Sequence, residues 1–205
     1  MKKNIMLSLL VTILVCIISM GNVNAATATP IFGGKLAGGI NSVTYFQESN
    51  LLLDSRYGSE INKAFNNWKT NSNPMNGYGK AQNNLTSKID FYLKSNSFSL
   101  LDSNTLAITQ MYSAKTAGNA TDGVGTPLTN LSQNWAFAKI FINDNTMGSL
   151  SSSQKQGTIT HEIGHAFGLA HNNSNPNSIM CQTGAGRSTQ VVQEVDNVSL
   201  RYLYS

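Results

Sequence analysis

The residues best suited to chemistry lie between positions 161 and 171, in the sequence His-Glu-Ile-Gly-His-Ala-Phe-Gly-Leu-Ala-His. His161 and His165 are four residues apart, so on a helix their imidazoles lie one turn apart on one face and reach the same metal ion. A catalytic zinc ion takes three protein ligands and keeps a fourth position for water. His171 is the third candidate, because Gly168 tolerates a positive φ and lets the chain leave the helix and turn back. The spacing therefore predicts a catalytic zinc site.

Glu162 directly follows the first histidine, which directs its carboxylate toward the open position of the metal. A carboxylate there accepts a proton from metal-bound water, so Glu162 is the predicted general base. A lone pair of histidines at this spacing is also compatible with ordinary helix-surface residues, and the added Gly168 and His171 disfavour that alternative. The chain has 3 histidines, all in this motif, so no other histidine-based site is expected.

The motif resembles the active site of the metzincin clan of zinc metalloproteases, and more closely that of bacterial, matrix metalloproteinase-related secreted endopeptidases, the matrixins. These proteins have a methionine turn beneath the metal, and the resemblance implies that Met180, in Ser178-Ile179-Met180, has this role. The next residues, Cys181 and Gln182, replace the tyrosine-containing sequences of better-known branches. We therefore expect no tyrosine ligand. Animal matrixins hold a second, structural zinc with further histidines, which this chain lacks, so we expect one catalytic zinc ion.

Hydrophobic periodicity predicts several strands and one helix before the motif. The helix contains Ile61, Ala64, Phe65 and Trp68 at helical spacing, with Ser59 as its predicted N-cap. This order agrees with the fold implied by the resemblance, which is α+β, with a twisted mixed β-sheet, a backing helix, an active-site zinc helix and a C-terminal helix. The predicted strands span residues 42–47, 88–93, 105–112 and 135–142.

The active-site helix is predicted to start at Ser151 to Ser153, with its ligands opposite a core-facing apolar side. The closing helix is predicted over residues 193–204. There the resemblance implies that Asp196 hydrogen-bonds the methionine turn, although a solvated helix carboxylate is an alternative. The polar loop over residues 182–189 falls where matrixins form the wall of the main specificity pocket.

Two further features of the matrixin resemblance are open at the sequence level. Residues 106–112 fall where matrixins place the edge strand over the cleft, and such an edge can bind an extended substrate; an ordinary paired strand is the alternative. Asn143-Asp144-Asn145 falls where matrixins often bind calcium, but one carboxylate makes a weak Ca²⁺ site, so a solvated turn is favoured.

The N-terminal residues have the pattern of a secretory signal peptide over 1–25. Two lysines precede an apolar run too short to span a membrane comfortably, and Val23-Asn24-Ala25 has the small residues of a cleavage site. No basic cluster follows the apolar run, which disfavours a membrane anchor. Residues 26–41 are glycine-containing and without periodicity, so we expect a flexible leader or a short propeptide. Residues 42–205 form the predicted zinc peptidase domain.

Composition limits the partners. The sequence has 14 Lys and Arg residues against 10 Asp and Glu residues, and no run of basic residues. This composition disfavours a nucleic-acid partner. Removing the signal would leave Cys181 as the one cysteine, so we expect no intrachain disulfide in the mature protein. We expect an extracellular monomer without a membrane partner once the signal is cleaved. Its expected partner is an extended peptide or protein substrate.

The functional prediction is a secreted zinc-dependent endopeptidase that hydrolyses peptide bonds by a zinc-activated water with a glutamate general base. The alternative is a secreted, non-catalytic binding module on a metzincin scaffold. The intact Glu162 favours the enzyme, because a metal site without turnover has no need of a base beside the metal. A third hypothesis is a peptidase so specific for one protein that generic peptides are not cut.

Overall fold

The computed structural model describes residues 28–69, 73–94, 104–115 and 125–205, and the predicted signal peptide lies outside these ranges. The described chain is α+β, as the sequence predicts. Within it, no helix is long and apolar enough to span a membrane. The elements in chain order are β1 (Ser42–Gln47), α1 (Leu51–Trp68), β2 (Gly77–Lys80), β3 (Ile89–Lys94), β4 (Ala107–Tyr112), β5 (Phe137–Asn143), α2 (Asp144–Met147), α3 (Ser152–Phe167) and α4 (Glu194–Leu203).

The strands form one mixed sheet in the order β2-β1-β3-β5-β4. The pairs β2–β1, β1–β3 and β3–β5 are parallel. Strand β4 runs antiparallel to β5, and Thr109 lies opposite Ile140. Among the described residues β4 therefore ends the five-stranded sheet, which confirms the prediction of an edge strand. The outer side of its last residues forms an isolated bridge between Tyr112 and Pro127. This position matters because β4 also packs against α3, the helix that carries the histidine motif.

Helices α1 and α3 pack against each other beside the sheet. The α1 residues Phe65 and Trp68 and the α3 residues Ile163 and Phe167 are fully buried. The indole Nε1 of Trp68 donates to the backbone oxygen of Thr160, at 2.9 Å. This bond satisfies a buried polar group and fixes α1 against α3 at the turn where the motif begins.

Two local predictions were wrong. Helix α1 begins eight residues before the predicted cap Ser59, because Asn50 caps it by accepting from the backbone nitrogen of Leu52. Strand β2 was missed, since its sequence Gly-Tyr-Gly-Lys has low strand propensity and is partly exposed. It forms by parallel pairing with β1, a long-range contact that local propensity does not encode.

The segment predicted as a flexible leader is packed against the domain in its described part, from residue 28 onward. Leu36 and Ile40 are buried in the core. The backbone nitrogen of Phe32 donates to the oxygen of Gly168 at 2.8 Å, and that of Ala37 to Trp135 at 2.8 Å. The segment forms isolated bridges in place of a regular strand, which is why its sequence shows no periodicity.

The predicted solvated turn at Asn143-Asp144-Asn145 is the start of α2. Asn143 caps the helix, and Asp144 lies in its first turn. The two carboxylate oxygens of Asp144 accept from Arg56, at 2.5 Å, and from the hydroxyl of Tyr57, at 2.8 Å. Protein donors thus engage the one carboxylate on which the weak Ca²⁺ prediction rested.

Replacing Thr29 with Val should destabilise the fold by about 1–2 kcal/mol, because the Thr29 hydroxyl donates to the buried carboxylate of Asp196 at 2.6 Å. Urea denaturation of the purified chain measures the loss. Thr129→Val is the matched control, since Thr129 is exposed and should tolerate the change. Equal unfolding midpoints for both variants would contradict a supporting role for the N-terminal segment.

Candidate metal centre and cleft

Helix α3 starts and ends as its sequence dictates. Ser151 and Gln154 form a capping box at its N-terminus. At the other end Gly168 has φ 116 and ψ 7, a left-handed conformation, and its nitrogen donates to the oxygens of Gly164 and His165. The helix stops there, and the chain returns so that His171 reaches the helical histidines, as predicted.

The three histidines converge through their Nε2 atoms. His165 Nε2 lies 3.1 Å from Nε2 of His161 and 3.1 Å from Nε2 of His171. One nitrogen from each ring lies within 4.8 Å of the others. His161 and His165 are buried, whereas His171 faces solvent. The predicted ligands are therefore brought together with one side open.

Backbone carbonyls set the tautomers of the two helical histidines. Nδ1 of His161 lies 2.8 Å from the oxygen of Ile179, and Nδ1 of His165 lies 2.8 Å from the oxygen of Leu169. A carbonyl oxygen only accepts, so each Nδ1 carries the proton and each Nε2 presents a lone pair. Two lone pairs at 3.1 Å repel each other unless a cation lies between them.

This donor set fits zinc. Tetrahedral ligands about 2.0–2.1 Å from Zn²⁺ lie roughly 3.3 Å apart, close to the observed separations between nitrogens. Burial lowers the pKa of His165 to about 4 and lowers that of His161 well below its usual value. It also lowers the pKa of His171. All three rings are thus held neutral at pH 7, which is the protonation state that binds metal.

Glu162 lies on the cleft side of α3 and is held from the edge strand. Its Oε2 accepts from the hydroxyl of Thr109 in β4, at 2.7 Å, and the same hydroxyl lies 2.9 Å from the backbone oxygen of Glu162. Burial raises the pKa of Glu162 to about 7, against the opposing effects of the Thr109 hydrogen bond and of His171. A carboxyl group with such a pKa is suited to taking up and releasing a proton near neutrality.

Met180 packs directly beneath the motif, as the resemblance implied. A Cβ atom on Gly164 would lie 2.4 Å from Sδ of Met180 and 2.9 Å from the ring of Trp68. Glycine between the two helical ligands is therefore what permits the methionine and the tryptophan to approach the helix. The sequence interpretation assigned no role to this glycine.

Asp196 supports the methionine turn from helix α4. It is fully buried, and its carboxylate accepts from the hydroxyl of Ser178 at 2.5 Å and from the nitrogen of Ile179 at 3.0 Å. The hydroxyl of Thr29 and the nitrogen of Gln193 also donate to it. These contacts exclude the alternative of a solvated helix carboxylate. Asp196 thus fixes the residue whose carbonyl orients His161.

A cavity of about 960 Å³ opens over the histidines and Glu162. One side of the cavity is lined by β4 and the segment that precedes it, through residues 104–109 and 111. Another side is lined by residues 182–184. Phe32 of the N-terminal segment contributes a wall, with its ring centroid 5.8 Å from that of His165. Arg187 and Thr158 lie in the same lining.

A comparison with families of known proteins matches residues 41–205 to the matrixin model. The chain belongs to the matrixin family. This membership indicates a metalloendopeptidase, a hydrolase of a family that typically binds zinc, and the described sheet and helices agree with a matrixin catalytic domain. No curated protein matches the chain.

The sequence interpretation missed two cleft residues of this matrixin. Thr109 looked like an ordinary polar position in an alternating strand, and Arg187 like a charge in a polar loop. Nothing local in the sequence distinguishes either residue, because each meets Glu162 or the cavity only through the packing of distant elements.

Replacing Gly168 with Ala should lower the free energy of unfolding by about 2 kcal/mol and speed zinc loss to a chelator. An L-residue is strained at this φ, and its Cβ would lie 3.0 Å from Leu203 Cδ1 and 3.2 Å from the oxygen of Gly34. Unfolding is measured with chelator present, and zinc release separately. Gly77→Ala is the control, because no atom lies within 4 Å of its added Cβ. A Gly168 variant that matched this control in both measurements would contradict the role of the turn.

Proposed function

We propose that this matrixin is a secreted zinc-dependent endopeptidase that cleaves peptide bonds with His161, His165 and His171 as zinc ligands and Glu162 as general base. The observation that carries the proposal is the combination of three converging imidazole nitrogens with a buried carboxylate in one open cleft. Secretion rests on the signal-peptide pattern over residues 1–25 and on the generally extracellular nature of the family.

Zinc bound to the three imidazoles would lower the pKa of its water and polarise the scissile carbonyl. Glu162 accepts a proton from the attacking water at its carboxylate and passes it to the leaving amine. The Thr109 hydroxyl bonds to Oε2, which limits rotation of the carboxylate. The carbonyls of Ile179 and Leu169 keep the imidazoles of His161 and His165 aimed at the metal.

The substrate is an extended peptide or a protein segment. Strand β4 ends the described part of the sheet and lines the cavity from Ala107 to Thr109. Its outer edge is engaged at Met111, whose oxygen accepts from the nitrogen of Leu128, so a peptide running along the cleft would use the backbone groups of Ala107 and Thr109. Backbone hydrogen bonds of this kind hold many sequences in one conformation. Side-chain selectivity then depends on the residues that line the cavity. A monomer suffices for this function, because the described chain supplies every group used here.

The bond between Thr109 and Glu162 weighs against a non-catalytic binding module. A module that only retained zinc would need the histidines and the residues that orient them. It would not need a buried carboxylate, since burying that group is unfavourable and raises its pKa. The position of the Glu162 side chain therefore favours an enzyme.

Glu162→Gln tests the function directly. The amide has nearly the shape of the carboxylate but does not take up a proton, so peptide hydrolysis should fall by about 10²–10⁴-fold. Cleavage of a mixed peptide library and zinc content by metal analysis are measured together. Glu194→Gln, which changes an exposed glutamate of α4, is the control. Cleavage by the Glu162 variant at the control rate would overturn the proposal, and wild type should bind one zinc ion per chain.

Thr109→Val tests the positioning of the base. Valine keeps the volume of threonine but removes the donor to Glu162, so kcat should fall by about 10-fold with little change in zinc content. Thr109→Ser retains the hydroxyl and should restore most of the rate. If serine and valine reduced kcat equally, the hydroxyl would have no such role.

A further inference from the structure

Arg187 is a cation in the wall of the catalytic cavity. It lines this cavity together with Glu162, Thr158 and the exposed loop residues Thr183 and Gly184. Its Nη1 lies 3.5 Å from the oxygen of Ile179, the same oxygen that accepts from Nδ1 of His161 at 2.8 Å. The guanidinium is therefore one carbonyl away from a zinc ligand, beside the place where a scissile bond would lie.

The hydrogen bonds of this guanidinium are few and long. Nη2 lies 3.5 Å from the hydroxyl of Thr158, and the oxygen facing Nη1 is already engaged by a closer donor. Nε is buried and has no hydrogen-bond partner. Among the described residues, no carboxylate forms an ion pair with Arg187, whereas Arg56 and Arg201 each pair with one.

A cation in this environment favours an anionic partner. Burial lowers the pKa of Arg187, and the charge of Glu162 opposes that effect without an ion pair. Arginine has a planar fork of donors that matches a carboxylate with two parallel hydrogen bonds. Bonds of this kind are strong when both groups are shielded from water, so a carboxylate entering the cavity would replace two long contacts with short ones.

Resting on the proposed function, we propose that Arg187 is a specificity-determining residue that binds a substrate carboxylate next to the scissile bond. The carboxylate comes either from an Asp or Glu side chain or from the C-terminus of a short peptide. Both sources present a carboxylate to the guanidinium. Only binding of the terminal carboxylate is lost when the C-terminus of the peptide is amidated. A simple structural role, in which Arg187 only holds the loop through Ile179 and Thr158, would give no preference for charge.

The experiment starts from a peptide that the wild-type chain cuts in a mixed library. The residue on each side of the cleaved bond is varied as Glu or Gln in separate matched peptides, each with a free or an amidated C-terminus. The wild type should cleave a peptide with the bound carboxylate about 10–100-fold faster, in kcat/KM, than the matched neutral peptide. A preference for Glu over Gln that persists in the amidated peptides assigns the carboxylate to the side chain. A loss on amidation that is equal for the Glu and Gln peptides assigns it to the terminus.

Arg187→Met should reduce the preferred carboxylate-to-neutral ratio to about one. The ratio compares two peptides cut by the same variant, so a rate loss common to both peptides cancels. Arg187→Lys retains charge without the planar fork and should give an intermediate ratio. Arg201→Met, which removes an arginine outside the cavity, should behave as wild type. Wild-type ratios near one for both the Glu-to-Gln and the free-to-amidated comparison, or an equal loss on the carboxylate and neutral peptides in Arg187→Met, would overturn the inference while leaving the peptidase intact.

If the wild type cleaves nothing, the proposed function fails, and binding then tests the inference separately. Fluorescence anisotropy with labelled Glu and Gln peptides, free and amidated, compares the chain with Arg187→Met. Tighter binding of a carboxylate peptide that disappears in the variant supports the anion site, and equal affinities overturn it.

Discussion

The site depends on holding three imidazole nitrogens together, with Nε2 of His165 only 3.1 Å from each of the other two Nε2 atoms. The Nε2 atoms of His161 and His165 face each other as lone pairs, because each Nδ1 donates to a carbonyl. Such lone pairs repel, so their positions have to be imposed by the surrounding backbone until a cation joins them. The protein imposes them with carbonyl oxygens. Ile179 orients His161 and Leu169 orients His165, and each carbonyl belongs to a turn that other residues hold. The geometry of the candidate metal centre therefore depends on these two turns.

Each turn is stabilised by contacts far apart in the sequence. Asp196 of α4 binds the nitrogen of Ile179, and Thr29 binds the same carboxylate from the N-terminal segment, 167 residues away. The turn at Leu169 is flanked by the same N-terminal segment, whose Phe32 donates to Gly168 and whose Pro30 accepts from Ala170. The two ends of the described chain thus meet beneath the metal centre. A change at Asp196 reaches His161 through two hydrogen bonds, and a change at Thr29 reaches it through three.

The sequence predicts the parts of this site that depend on local spacing. The histidines and Glu162 lie on one helix, and Gly168 ends it, so helical geometry alone fixes most of the centre. The roles of Met180 and Asp196 came from the matrixin resemblance, because their contacts join separate elements. The resemblance placed residues 106–112 and 182–189 beside the cleft but singled out neither Thr109 nor Arg187, since each reaches Glu162 or the cavity only by the packing of a separate strand or loop. The packing of the N-terminal segment was not predicted either, because isolated bridges leave no periodic pattern in the sequence.

Opposing effects act on the pKa of Glu162, the proposed general base, and together place it at about 7. Burial raises its pKa, which strengthens its affinity for a proton. The Thr109 hydroxyl and the charge of Arg187 act in the other direction and favour the ionised form. A divalent cation held by the histidines would add to that effect, because an opposite charge nearby favours the carboxylate. Burial alone would leave Glu162 protonated near neutral pH. The same partners around an exposed Glu162 would leave it ionised, with a low pKa and little affinity for a proton. The cleft combines both effects. If Arg187 binds a substrate carboxylate as proposed, that group would reduce the stabilisation of ionised Glu162 by the guanidinium, so the two proposals are coupled.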